Sequence, residues 1–426
     1  MQSLKGKKLL ILGGPALACD IVEKAREMGV YTIVTDWYEP DKSPAKLIAD
    51  EYAMVSTADV PKLEMFIKNN NINAVFTSFI DSTLPYAQIL CEKLGLPFYA
   101  TKQQLENTLN KAKFKTLCKK YDIPVVKEYN KSRLNEKDYP IVVKPTDSSG
   151  SKGITICLNK SNFDNAYNNA LLFSKSKKII IEKCMDNLKP NINLDYIFVN
   201  GKAYLSAVGD LYSFSVNKDS TPITSAVFYP STRTLDYVNT LDKKVRGMFE
   251  QEGFANGCLY IQSFYDDEGY HFFETGYRLG GGQSYRMIEK MNGVNHLEML
   301  LNFALTGTMC DEEMEKRISP FFQKNACGLS VILKEGTISR IEGLEKLIKN
   351  KTIVNYRQNL PIGYTVKSEF LGTVQQLFAK IHIVDKDKKS IEKTIEFIFE
   401  TLKVLDENGD NMVLLSYRRE KRDANE

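Results

Sequence analysis

The chain has 426 residues, a formal net charge of +4, and 43% hydrophobic residues. Its length exceeds what one ordinary core supports and predicts about three domains. The small, dispersed charge argues against nucleic acid as a partner. No apolar run approaches the ~18 residues of a membrane span. With only three histidines, catalysis or metal binding by histidine is not expected.

The first segment alternates short apolar strands with amphipathic helices. The patterns "KKLLILGG", "VYTIVTD" and "NAVFTSF" predict strands, while "ALACDIVEKAREMG" and "VPKLEMFIKNN" predict helices. Such alternation predicts a parallel, doubly wound sheet whose ligands bind at the carboxyl ends of the strands. Gly13 and Gly14 follow the first strand and Asp36 ends the second, but without the full GxGxxG pattern they are weak evidence for a dinucleotide.

A helical stretch, "KQQLENTLNKAKFKTLCKKYDIP", precedes two predicted strands and a loop in "YPIVVKPTDSSGSKGITIC". Lys144 ends the first of these strands, and the small-residue loop runs from Ser148 to Gly153. Such a loop can turn backbone N–H groups toward an anion, and a lysine at the strand end adds positive charge for phosphate. The spacing differs from the GxxxxGK[ST] of a P-loop, and the alternative is a solvated hairpin loop without a ligand.

The pattern "KIIIEK" predicts another strand, with Glu182 near its end, where the chain becomes irregular. An extended segment leaving a sheet offers free backbone groups to an adenine edge, and a glutamate can accept a hydrogen bond from an exocyclic amine. The alternative is a solvated glutamate. The next stretch, "NLDYIFVNGKAYLSAVGDLYSF", predicts a hairpin that turns at Asn200 and Gly201.

Two strands, "GCLYIQSFYD" and "HFFETGYRLGGGQSY", follow the predicted helix "RTLDYVNTLDKKVRGMFEQEG". Because a short turn joins them, Gln262 and Glu274 are expected on one face of the sheet. Amide and carboxylate oxygens suit Mg²⁺, which keeps waters and substrate phosphates as its other ligands. Taken alone, the same residues also fit a cross-strand hydrogen bond, and Glu274 with Arg278 also fits a surface salt bridge.

The last segment begins near Cys310. It alternates "GLSVIL", "GTISRIEGLEKL" and "QLFAKIHIVD" with one long helix, "KKSIEKTIEFIFETLKVLDE". This pattern predicts a small α+β domain, and the polar tail "RREKRDANE" is expected to fray.

Together, Lys111, "VVKPTDSSGSKG", "IIIEKCM", "YIQ" and "ETGYRLGGG" stand in the order and approximate spacing of the ATP-grasp superfamily, which the whole chain resembles. Carboxylate–amine ligases and the large subunit of carbamoyl-phosphate synthetase are the similar members, and the C-terminal part resembles that of biotin carboxylase. The resemblance implies a mixed α/β and α+β protein. It would begin with a pre-ATP-grasp domain at 1–102, built on a doubly wound parallel sheet. A two-lobed ATP-grasp domain would follow at 103–310, with a flexible lid lobe at about 115–185. A small C-terminal α+β domain would occupy 311–426.

The resemblance also implies roles for individual residues. It implies that ATP is bound by Lys111, Lys144, Ser148, Ser149, Gly150, Ser151, Gly153, Glu182, Lys183, Cys184 and Asn191. It implies that Gln262 and Glu274 hold Mg²⁺ (or Mn²⁺), and that Arg278 and Lys144 act on the transferred phosphoryl group. Substrate is expected at Gly13, Gly14, Ser78, Asp81, Gly281 and Gly282, between the first strand ends and the glycine loop of Gly280 to Gly282.

Three positions depart from the pattern of the superfamily. Gln262 stands where glutamate is usual, and Asn191 stands where a glutamate usually binds the ribose. The usual E-x-N-P-R reads Glu274-Thr275-Gly276-Tyr277-Arg278, so Gly276 replaces an asparagine metal ligand.

The expected function is an ATP-dependent ligase that activates a carboxylate as an acyl phosphate and couples it to an amine or similar nucleophile, including a thiol. The alternatives are a non-catalytic nucleotide-binding protein and a kinase or carboxylase of nucleotide biosynthesis on the same fold. The expected partners are small-molecule carboxylates and amines, with no nucleic acid and no membrane, and a homodimer is compatible with the resemblance. Eight cysteines without CxxC spacing predict a reducing, cytoplasmic environment.

Overall fold

The computed structural model describes residues 4–148, 150, 152–185, 190–216 and 222–417. Ser149 and Ser151 of the predicted phosphate loop lie outside the described residues. Within the described part of the chain, no helix is both long and apolar enough to cross a membrane.

The first segment forms a parallel sheet with helices on both faces. Its elements are β1 (Lys8–Leu12), α1 (Cys19–Glu27), β2 (Tyr31–Thr35), α2 (Pro44–Ile48), β3 (Glu51–Ala53), α3 (Val60–Asn69), β4 (Ala74–Phe76) and α4 (Leu84–Leu94). The strand order is β3-β2-β1-β4, with parallel pairing throughout. Alternate residues of β1 enter different cores, Leu9 with Ile21 of α1 and Leu10 with Leu63 of α3. The predicted doubly wound sheet is confirmed.

The predicted helical stretch that follows is two helices, α5 (Lys102–Leu109) and α6 (Lys111–Lys120). Asn110 separates them, with extended backbone angles and a side chain that accepts hydrogen bonds from the N–H groups of Ala112 and Lys113. The predicted helical stretch is interrupted at this residue because asparagine competes with the helical backbone and caps a new helix. The break makes Lys111 the first residue of α6.

The lid lobe is a small antiparallel sheet covered by one helix. Its elements are β5 (Ile141–Pro145), β6 (Thr155–Cys157), α7 (Phe163–Phe173) and β7 (Ile179–Lys183), with strand order β6-β5-β7. The lobe has its own core, which includes Ile141, Val143, Phe163 and Ile181. The lobe therefore packs around a core of its own, and its flexibility as a lid stays a prediction.

A large sheet contains most of the remaining strands and continues into the C-terminal segment. Its first elements are β8 (Asn191–Val199), β9 (Lys202–Phe214), β10 (Ile223–Tyr229), α8 (Thr234–Tyr237), α9 (Lys243–Gln251), β11 (Gly257–Asp266), β12 (Gly269–Gly276), α10 (Ser284–Asn292) and α11 (His296–Thr306). Asn200 and Gly201 have positive φ angles and join β8 to β9 as the predicted hairpin.

The C-terminal segment extends the same sheet. Its elements are α12 (Glu312–Glu315), β13 (Asn325–Leu333), β14 (Gly336–Thr337), β15 (Arg340–Glu342), α13 (Leu344–Ile348), β16 (Ile353–Gln358), β17 (Thr365–Val366), β18 (Leu377–Asp385), α14 (Lys388–Thr401), β19 (Lys403–Leu405) and β20 (Val413–Leu414). The strand order of the large sheet is β12-β11-β8-β9-β10-β13-β18-β16. Strand β13 pairs with β10, so backbone hydrogen bonds cross the expected domain boundary at residue 310. Helix α14 covers β13 and β18 through a core that includes Ile391, Ile395 and Ile398.

Candidate functional site

One cavity of about 690 Å³ lies where the lid lobe, the large sheet and the two terminal segments meet. Strands β8, β11 and β12 form its floor, and the lid lobe forms the opposite wall. The expected site residues at its surface are Asp81, Lys111, Lys144, Gly150, Glu182, Lys183, Cys184, Asn191, Gln262, Glu274, Arg278, Gly281 and Gly282. Gly13, Gly14, Ser78, Ser148 and Gly153 are not among its lining residues. The functional role of each residue in both groups stays a prediction.

Glu182 is buried between two lysines. Its two carboxylate oxygens lie 2.6 Å from Nζ of Lys144 and 2.5 Å from Nζ of Lys115. Burial opposes ionisation of Glu182, but the two ammonium groups outweigh it and hold the pKa of the carboxyl below its ordinary value. Both oxygens are therefore engaged by cations, and Glu182 fixes the position of Lys144 in the cavity wall.

The small-residue loop is shaped by hydrogen bonds of its own. Nζ of Lys111 donates to the carbonyl oxygen of Ser148 at 2.6 Å, and the Ser148 hydroxyl donates to the carbonyl of Lys152 at 2.9 Å. Gly153 has a positive φ, and a Cβ there would lie 2.8 Å from Phe173. These contacts show that the residues of the loop also determine its conformation, in addition to the anion-binding role that the sequence predicts.

Gln262 and Glu274 are direct register partners on β11 and β12, and both line the cavity. Register partners share one face of a sheet, so an amide oxygen and a carboxylate stand side by side, as expected. Among the described residues, no group of three or more His, Cys, Asp and Glu side chains could hold a metal ion. The pair fits a Mg²⁺ that takes its remaining ligands from water and phosphate oxygens.

Gly276 makes room for Tyr260. The two residues are register partners, and a Cβ at Gly276 would lie 2.6 Å from Cε1 and 2.9 Å from the hydroxyl of Tyr260. Arg278 donates from Nη2 to that hydroxyl at 3.3 Å, so the aromatic ring is held in place. The glycine that the sequence marks as a lost metal ligand is required by the packing of a buried tyrosine.

We expect Gly276→Asn to destabilise the protein by about 1–3 kcal/mol, because a side chain overlaps the Tyr260 ring. Chemical denaturation measures the change. In a Tyr260→Ser background, where the ring is absent, the same substitution at Gly276 should cost much less, and the difference between the two backgrounds measures the overlap. Gly282→Asn is the control variant for the denaturation measurement, since a Cβ at Gly282 meets nothing within 4 Å. Unchanged stability of Gly276→Asn would contradict this explanation of the glycine.

Arg278 joins the large sheet to the first segment. Its Nε and Nη2 donate to the two carboxylate oxygens of Asp81 at 2.5 and 2.9 Å, and its Nη1 donates to the carbonyl of Leu279. The Ser78 hydroxyl accepts from the N–H of Leu279 at 3.2 Å. Ser78 and Asp81 therefore hold the segment that leads into the glycine loop, and Arg278 keeps one face toward the cavity.

Gly13 and Gly14 have a packing explanation. Gly13 has a φ of +90°, and a Cβ at Gly14 would lie 2.2 Å from the Ser43 hydroxyl oxygen. The N–H of Gly14 donates to Asp36, whose carboxylate also pairs with Nζ of Lys46 at 2.8 Å. The conformation of this turn is therefore fixed by contacts within the first segment.

Asp20 and His382 hold the glycine loop and the residues that follow it through hydrogen bonds. Asp20, on α1, accepts hydrogen bonds from Gln283, Tyr285, Arg286 and Arg357, which come from the glycine loop, α10 and β16. Nε2 of His382 lies 3.0 Å from the carbonyl oxygen of Gly282, and its Nδ1 lies 3.0 Å from the Asn355 amide nitrogen. Burial lowers the pKa of His382 to about 4, so a neutral ring accepts at Nδ1 and donates from Nε2.

Sequence reasoning missed three buried charged residues of this region, although each left a signal. Lys115 lies four residues after Lys111 on α6, on the same helix face. Asp195 follows Asn191 at alternate positions of an otherwise apolar strand, and Lys380 interrupts the apolar run of β18. Both Asp195 and Lys380 line the cavity, and burial lowers the pKa of Lys380 to about 8.

Comparison with known proteins supports the assignment of the fold. The family model described as the D-ala D-ala ligase C-terminus matches residues 105–209, from α5 into β9. The solved L-amino acid ligase from Bacillus licheniformis is similar with a TM-score of 0.77 and 18% identity, covering 95% of this chain and 100% of that chain. The chain has the ATP-grasp fold, which confirms the resemblance seen in the sequence and the predicted fold class.

Two further similar proteins are a biotin carboxylase domain and a formyltransferase. The biotin carboxylase domain of Hydrogenobacter thermophilus 2-oxoglutarate carboxylase, solved with MgADP and bicarbonate, has a TM-score of 0.75 and 18% identity, covering 96% of this chain and 91% of that chain. The formate-dependent phosphoribosylglycinamide formyltransferase of Sulfurisphaera tokodaii is 26% identical over 210 residues, which are 47% of this chain and 52% of the relative. The chain spans about half the length of the curated relatives it matches.

Proposed function

We propose that the chain is an ATP-dependent ligase that activates a carboxylate as an acyl phosphate, couples it to an amine or similar nucleophile, and releases ADP and phosphate. The make-up of the cavity carries the proposal. Lys111 at the start of α6 and Lys144 and Lys183 of the lid lobe line it, and its floor carries the Gln262–Glu274 pair. Cations for phosphate and oxygens for Mg²⁺ on facing walls suit MgATP between the two lobes.

The proposed reaction has two steps. A carboxylate oxygen bonds to the γ-phosphorus while the bond to the β–γ bridging oxygen breaks, and ADP leaves. The amine nitrogen then bonds to the acyl carbon while the carbon–oxygen bond to phosphate breaks, and phosphate leaves. The chain contributes position and charge: Lys144 and Arg278 face the phosphoryl group, and Gln262 with Glu274 would hold Mg²⁺, which neutralises phosphate charge.

The relatives suggest which acids to test. Their names refer to an L-amino acid, to formate and to carboxylation, and one was solved with bicarbonate. An acid as small as formate or as large as an amino acid is therefore within the class, and the panel must contain both.

The test measures ADP and phosphate release from ATP with and without Mg²⁺. The acids are the twenty L-amino acids, formate and bicarbonate, each with glycine, methylamine or hydroxylamine as the nucleophile. We expect at least one acid to raise release about tenfold or more above ATP alone, and only with Mg²⁺. ATP binding without turnover for any acid would favour a non-catalytic protein. A phosphorylated product that persists without an amine would favour a kinase.

A further inference from the structure

Asp195 is a buried carboxylate in the cavity floor that has no cationic partner among the described residues. Its Oδ1 accepts from the Ser284 hydroxyl at 3.0 Å, and its Oδ2 accepts from the Asn193 amide at 3.1 Å and the Tyr229 hydroxyl at 3.3 Å. Burial outweighs these hydrogen bonds and raises the pKa of Asp195 to about 6. A buried carboxylate without a cation is costly, so its retention in a cavity indicates a cationic ligand.

Gln283 supplies a second, independent observation. This residue is fully buried, lines the same cavity and has a positive φ of 54°. Its Nε2 donates to Asp20, while its Oε1 has no hydrogen-bond partner in the described part of the chain. An unpartnered buried acceptor is costly, and a non-glycine residue held at positive φ adds strain. The unpartnered oxygen fits a ligand that donates an N–H group.

Asp195 lies next to the proposed transfer centre, and Gln283 is linked to it through Ser284. Ser284, which donates to Asp195, directly follows Gln283 in the chain. Asp195 is the register partner of Tyr260, and Asn193 is the register partner of Gln262 in the metal pair. Two residues along a strand span about 6.5 Å, so Asp195 lies one side-chain row from the proposed site of phosphoryl transfer.

We propose that Asp195 and the amide oxygen of Gln283 form the subsite for the nucleophile, which enters as a primary ammonium and gives one proton to Asp195. The inference rests on the proposed function and deepens it. Loss of that proton frees the nitrogen lone pair, which bonds to the acyl carbon as the carbon–oxygen bond to phosphate breaks. The second nitrogen proton leaves with the phosphate. The substrate class is therefore a primary amine rather than an alcohol or a thiol.

Asp195→Asn separates this role from acid activation. Hydroxylamine is largely uncharged at neutral pH, so it attacks an acyl phosphate without a group that binds an ammonium and accepts its proton. We expect the variant to lose about 100-fold or more in coupling to glycine or methylamine, while hydroxamate formation with the same acid stays within about threefold. The melting temperature is measured in parallel, and the unchanged hydroxamate formation shows that the variant is folded.

A second variant and a matched control complete the experiment. Gln283→Asn tolerates positive φ but withdraws the amide oxygen, and should raise KM for the amine by a larger factor than it changes hydroxamate formation, which reports the lost contact with Asp20. Asp210→Asn is the control, since Asp210 is also buried and bonded to a hydroxyl, that of Ser231, but does not line the cavity. Equal losses in both assays, or unchanged amine coupling, would overturn the subsite. Wild-type protein that forms no hydroxamate with any acid would overturn the proposed function itself.

Discussion

Replacing Glu274 with glutamine should lower magnesium-dependent turnover about 100-fold or more while leaving metal-free nucleotide binding nearly unchanged. Glu274 supplies the carboxylate of the proposed metal pair, whereas its register partner Gln262 supplies a neutral amide oxygen. Glu274 is the charged member of this pair, so its carboxylate supplies the electrostatic attraction that the pair itself offers to Mg²⁺. The isosteric amide removes that charge without creating a cavity.

The measurement is turnover as a function of Mg²⁺ concentration, with ADP binding titrated separately in the presence of a chelator. Gln262→Glu should act in the opposite direction and lower the Mg²⁺ concentration needed for half-maximal turnover, because it adds a second carboxylate. Glu268→Gln, in the exposed turn of the same hairpin, makes the same chemical change away from the cavity and should have no effect. Wild-type magnesium dependence in Glu274→Gln would show that the metal assignment is wrong.

Local sequence patterns were sufficient for most of the fold. Strand β11 could be bounded from "GCLYIQSFYD" because its apolar pattern ends at a polar turn, and the hairpin at Asn200 followed from its turn residues. The break at Asn110 was missed because asparagine is compatible with either a helix interior or a cap until its hydrogen bonds are known. The union of β10 with β13 in one sheet could not be predicted, because pairing between distant strands depends on tertiary contacts.

The site was predictable where one short motif carries both partners and unpredictable where the partners are distant in sequence. Gln262 and Glu274 belong to one hairpin, so their alignment followed from strand periodicity. Arg278 and Asp81 are 197 positions apart, and nothing in either local sequence indicates their ion pair. Gly276 shows the same limit, since the close contact with the ring of Tyr260 could not be seen in the local sequence, while the loss of a metal ligand at this position stays a prediction.

Glu182→Gln should destabilise the protein by about 3–5 kcal/mol, because it leaves two buried lysines without their shared carboxylate. Lys115 is fully buried, and Lys144 is 4% exposed. Lys115 would keep only a 3.5 Å contact with Glu128, and Lys144 would keep no ion pair among the described residues. A hydrogen bond from Glu182 to adenine alone would predict weaker ATP binding with unchanged stability, so the two roles give different results.

Unfolding in denaturant measures the stability of this variant, and steady-state kinetics at varied ATP measures its nucleotide affinity. We expect both to change, because Lys144 loses the carboxylate that orients it toward the cavity. Glu128→Gln is the matched control: it removes a partly exposed carboxylate from the same cluster and should cost less than about 1 kcal/mol. Adding Lys115→Met to Glu182→Gln should recover part of the stability, since one uncompensated buried charge is then gone, but should not restore ATP affinity. Recovery of both would show that Glu182 acts on the fold alone and does not position Lys144 for phosphate.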